Sequence, residues 1–166
     1  MIPLLSNNLY GYCDEKRNIL IEPKYEYADL FKQDETLQQN PDKNISRFAG
    51  NDYAWAKQDG KLIRIDRKGN VVYNYRKEDF ENAEILISVA PPLSNILYEI
   101  FKDKETKLLG IRNTKTKTVL IEPKYSGIYK EFYVDGSVKY PLFLASSPGI
   151  SHYFYVGLNG TEYIIR

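Results

Sequence analysis

Few of the 166 residues carry side chains suited to chemistry. There is one histidine, His152, and one cysteine, Cys13, so no His/Cys cluster for a metal ion can be assembled, and a catalytic triad would have to rest on His152. His152 stands in Ser151-His152-Tyr153 at the start of an expected strand, where a surface or hydrogen-bonded structural role is the simpler reading. Cys13 ends another expected strand beside Asp14, a neighbour that raises a thiol pKa and marks an inert, buried sulfur. Glu22 and Glu122 are the candidates for paired carboxylates doing acid–base work. Each is fixed in a Glu-Pro-Lys-Tyr run that recurs 100 residues later, so both read as architecture, and Lys24 and Lys124 as strand-end charges that discourage edge-to-edge association.

Phosphate chemistry has no support, because neither GxxxxGK[ST] nor GxGxxG occurs. Basic residues bunch at 102–107 and 112–117, but Asp103 and Glu105 interrupt them, and no continuous basic stripe with stacking aromatics results. The expectation is a protein that is not an enzyme, uses no metal or cofactor, and binds no nucleic acid. With 23 Lys+Arg against 22 Asp+Glu, nothing global attracts it to nucleic acid or to an acidic membrane. No stretch approaches the roughly 20 apolar residues of a spanning helix, and the start lacks a secretory pattern. A cytoplasmic location and no membrane partner are expected.

The elements that position these residues are strands. Tyrosine, at 15 residues, is the unusual component, and its ring and hydroxyl suit half-buried pleated surfaces. Leu20-Ile21-Glu22-Pro23-Lys24-Tyr25 recurs as Leu120-Ile121-Glu122-Pro123-Lys124-Tyr125, each copy preceded by a polar turn and a Gly-containing strand with Gly11 or Gly110. Weaker copies run through Leu62–Tyr73, with the turn Arg67–Asn70, and through Tyr153–Ile165, with the turn Asn159-Gly160. Each unit adds an upstream strand, as in Tyr53–Ala56 leading to Asp59-Gly60, a two-residue hairpin signal. The fold class expected is all-β, mainly antiparallel, with about four stacked β-meander or hairpin repeats and short helical or irregular linkers. The whole chain, 1–166, is expected to be a single β-repeat domain with units near 1–40, 41–86, 87–135 and 136–166, stacked into one core. Short helices are expected within Tyr27–Gln39 and Tyr75–Leu86, and a corner at Pro91-Pro92.

The run from Leu9 to Tyr25 resembles the WG (tryptophan-glycine) repeat of bacterial proteins, in which a Trp-Gly pair, an aromatic, a Gly-containing turn, an apolar strand and a closing Pro-Lys-Tyr follow in order. The repeat's structural motif then falls on Gly11, Pro23, Lys24 and Tyr25, and on Gly110, Pro123, Lys124 and Tyr125. The tryptophan itself is replaced by Tyr10, Leu62, Leu109 and Tyr153. The resemblance implies a β-rich repeat protein that mediates interactions and has no catalytic residues.

The expected function is therefore a module that binds another protein. A narrower expectation is that it neutralises a bacterial toxin, as an immunity protein does. The alternative is a small-ligand or carbohydrate-binding β-repeat protein, motivated by the tyrosines. Rings in the linkers, Tyr27, Tyr129 and Tyr133, together with Trp55, are the interface candidates, since exposed aromatics give rigid contact area.

Overall fold

The computed structural model describes residues 1–81, 97–133 and 141–166, with no account of the side chains of 81 and 130–133. It is mostly antiparallel β, in four small sheets among the described residues. Two compact units divide the chain: Met1–Ser88 with Ile165–Arg166, and Val89–Ile164.

The first unit begins with β1 (Ile2–Ser6), β2 (Leu9–Cys13) and β3 (Ile19–Tyr25). β1 and β2 pair from Ile2↔Cys13 to Ser6↔Leu9 around Asn7-Asn8, both at positive φ (49° and 64°), a conformation asparagine tolerates better than most side chains. The sheet has the order β14-β1-β2-β3, where β14 is Ile164–Ile165. A second sheet, β4-β5-β6-β7, comprises Tyr27–Phe31, Tyr53–Gln58, Lys61–Asp66 and Val71–Asn74. The Asp59-Gly60 hairpin forms as expected, with φ of 50° and 73° and Gln58 opposite Lys61. The core of this unit takes Ile2, Leu4, Tyr12 and Tyr25 from the first sheet and Ala54, Ala56, Ile63 and Ile65 from the second, following the period-two alternation of strands.

The second unit repeats the plan. β8 (Tyr98–Lys102), β9 (Leu109–Asn113) and β10 (Val119–Tyr125) form one sheet, and β11 (Gly127–Tyr133), β12 (Leu142–Ser146) and β13 (Phe154–Gly157) another. Ile111, Ile121, Tyr125, Phe143, Phe154 and Val156 are buried in it.

One expectation changes. Tyr27–Gln39 holds the short helix expected within it, α1 (Glu35–Gln38), but it is not a linker throughout, because Tyr27–Phe31 is the strand β4. The reason is burial: Ala28, Leu30 and Phe31 enter the core, and pairing with β5 also satisfies the backbone. A single residue, Glu26, carries the chain from β3 into β4, and Ser126 does the same between β10 and β11. Within Tyr75–Leu86, Glu78–Glu81 is helical (α3), while the rest of that stretch beyond 81, and the Pro91-Pro92 corner, lie outside the described residues.

Candidate interaction surface

The duplicated hexapeptide explains itself residue by residue. β3 and β10 have the same burial pattern throughout, with Ile21 and Tyr25, and Ile121 and Tyr125, inward. Gly11 lies against the bulged partner strand: a Cβ there would stand 2.3 Å from the Ile21 carbonyl oxygen and 2.7 Å from Pro23 N, and at Gly110 the matching distances are 2.6 and 3.0 Å. Proline suits the facing position because it has no N–H to satisfy at that close approach. The tyrosine then couples neighbouring sheets. Tyr25 donates to the Gly69 carbonyl at 3.1 Å, in the β6–β7 turn, and Tyr125 donates to Glu162 Oε1 at 2.9 Å. Lys24 and Lys124 sit over these rings at 5.2 and 5.4 Å, and Lys124 also pairs with Glu162 at 2.8 Å. Burial pushes the Tyr25 hydroxyl up to about 12, so it remains a donor.

The turns before β3 and β7 are built alike. Asp14 Oδ1 accepts from the Lys16 and Asn18 amides at 2.8 Å each, while Oδ2 accepts from the Asn18 side chain. Asp66 holds Lys68 and Asn70 in the same way. The bonds from Asn18 hold the Asp14 carboxyl below its ordinary range. Burial pushes Asp66 upward, but the Asn70 and Lys68 bonds outweigh it and its pKa is also lowered. The fourth turn position is left-handed in both, as Arg17 (φ 68°) and Gly69 (φ 80°).

Residues 10–34, from β2 through β3 and β4, match the family model described as the WG containing repeat. That segment is similar to a WG repeat. Sequence repeat and sheet are out of phase, since the matched WG segment takes two strands from the first sheet and one from the second. No curated protein and no solved structure matches the chain.

The interface candidates divide. Tyr27 and Tyr129 are exposed, on β4 and β11, and the ring of Tyr27 meets Tyr10 edge-on. Tyr129 meets Tyr153, also exposed, at 4.9 Å and 84°. Trp55 is half-buried: it packs on Tyr75 and Phe80, and its Nε1 donates to Asp34 Oδ2 at 2.7 Å. Tyr133 ends β11, and its side chain lies outside the described residues. Cys13 is buried and its thiol is pushed up to about 12 by that burial, then by Asp14. His152 Nδ1 lies 3.0 Å from Ser151 Oγ. Among the described residues no group of His, Cys, Asp and Glu is arranged to hold a metal ion, and no helix is long and apolar enough to cross a membrane.

Two features escaped the sequence reading. Leu20 and Leu120 are outward, 54% and 40% exposed, and Glu22 and Glu122 are exposed beside them. The duplication marked these positions but not the side they face, because bulges in β3 and β10 shift the register. The second is Arg64, fully buried and close to the buried Asp34; nothing in its alternating strand Lys61–Asp66 sets it apart from an outward charge.

Proposed function

We propose that this chain is a non-catalytic binding module whose partner is another protein, contacted in part through the outward faces of β3 and β10. One observation carries the reading. The two copies have diverged in their turns and at Tyr10/Leu109 and Tyr12/Ile111, yet they keep the same exposed Leu-x-Glu pair, at 20 and 22 and at 120 and 122. Buried Ile and Tyr and half-buried Pro have packing reasons to stay the same. An exposed leucine and an exposed glutamate have none in the core, and retention through a duplication supports selection for contact. Tyr27 supplies further exposed aromatic area on the adjoining strand of the first unit.

The test is a tagged pull-down from the native host, repeated with Leu20→Ser/Glu22→Lys and with Leu120→Ser/Glu122→Lys. A stoichiometric protein partner retained by the wild type and lost with either double variant is the expected result. A partner retained by both variants places contact elsewhere, and a blank capture by the wild type removes the proposal. A narrower form has the module acting in the bacterial cytoplasm as an immunity protein, with a toxin as partner. Toxicity of the captured protein when expressed alone, relieved by this chain, is its test. The exposed Tyr129–Tyr153 pair supports the carbohydrate reading. That reading predicts glycan-array binding that disappears in Tyr153→Ala.

A further inference from the structure

The second sheet has two faces with different cover. One carries Ala54, Ala56, Ile63 and Ile65 into the core. The other presents a cross-strand row, Trp55 opposite Arg64 and Arg64 opposite Tyr73, and meets the excursion 32–52 between β4 and β5. That excursion contains α1, α2 (Lys43–Ser46) and a 3-10 turn (Arg47–Ala49), all too short to hold themselves. Its buried apolar residues are Leu37 and Ala49 alone.

Polar clasps hold it instead. Arg64 Nε donates to the Phe48 carbonyl at 3.0 Å, and Nη2 donates to the Lys32 carbonyl at 2.7 Å and the Gly50 carbonyl at 3.2 Å. Asp34 caps α1 by accepting from the Thr36 and Leu37 amides, and its Oδ2 accepts from Trp55 Nε1 and the Tyr75 hydroxyl. Arg64 Nη1 stands 3.9 Å from that oxygen and has no hydrogen-bond partner among the described residues. The clasp runs mainly through two side chains and leaves one buried donor unsatisfied, while β4 and β5 pair through Tyr27↔Lys57, Ala28↔Ala56 and Phe31↔Ala54 without it.

We infer that residues 32–52 form a strap that opens as a unit below the free energy of global unfolding, uncovering Trp55 and Arg64 while β4–β7 remains paired. Stability in a folded chain is not uniform, and segments with little apolar burial open first. This inference does not rest on the identity of any partner.

Native-state hydrogen exchange of the intact protein tests it. Amides of Leu37, Gln38, Ile45 and Ser46 are expected to exchange at least about a hundredfold faster than the paired amides of β5 and β6, with little dependence on low denaturant. Equal rates with equal denaturant dependence overturn the strap. Arg64→Met keeps bulk and removes the clasp, so strap exchange should rise by about a further tenfold or more with β5 and β6 changing far less. Because that variant can fail to fold, Asp34→Asn is measured beside it. Acceleration confined to the strap supports the inference; no acceleration, or equal acceleration in β5 and β6, overturns it.

Discussion

Gly11 and Gly110 are fixed by distance rather than by backbone angle. A methyl group at either would press on a neighbouring main chain, which cannot swing aside as a side chain can. Gly11→Ala and Gly110→Ala should each cost about 3 kcal/mol, measured as a fall in the urea midpoint at unchanged slope. Arg17 presents the opposite case, holding a left-handed conformation (φ 68°) that its equivalent Gly69 adopts without strain. Arg17→Gly should raise stability by about 0.5–1 kcal/mol, and a loss would show that the Arg17 side chain contributes more than its backbone costs. Removing only the hydroxyl, in Tyr25→Phe, should cost about 1 kcal/mol through the lost bond to Gly69. The two glycines and Tyr25 were marked in the sequence by recurrence, but their reasons were not. That Gly11 faces Pro23, or that Tyr25 reaches a turn 44 residues away, depends on a bulged register and on the packing of two sheets.

At the scale of the element, carboxyls held in turns, in the Glu26 junction and on β8 carry the acid sensitivity. The carboxyls of Asp14 and Asp103, held by local hydrogen bonds, of Glu26, held first by the Gly60 amide and then by Lys57, and of Glu99, held by Lys117 and Arg112, all lie below their ordinary range. Lowered folded values mean that these bonds contribute fully above the unfolded pKa, about 4, and are lost as pH falls through the folded values. The urea midpoint should therefore hold from pH 7 to about 5 and drop below about 4, and Asp14→Ala should shrink that drop. Strand positions were legible because apolar alternation and turn residues agree, as at Asp59-Gly60. β4 was not, because Tyr27–Phe31 shows apolar residues at Ala28, Leu30 and Phe31, spacing that fits a helix turn as well as a bulged strand. Arg64 was hidden for a related reason: a strand's second face normally meets solvent, and here the strap accepts its hydrogen bonds.

For the whole molecule, the 100-residue repeat distance is the span of a pair of sheets. Each unit has its own core and its own tyrosine coupling, so damage to one should be felt first where it occurs. Hydrogen exchange is expected to lose protection mainly in β1–β7 for Gly11→Ala and mainly in β8–β13 for Gly110→Ala. Equal loss across the chain would mean that the two units unfold as one cooperative body. The one-residue junctions at Glu26 and Ser126 bear on how such a chain can change. An added residue there would turn every later side chain of the strand to the opposite face. The β4–β5 connection, by contrast, spans residues 32–52 while its two strands still pair, so it is a place where this architecture accepts new sequence. A foreign loop grafted between Asn40 and Lys43 should leave both sheets folded, which makes this connection the natural position for giving the scaffold a recognition loop of another specificity.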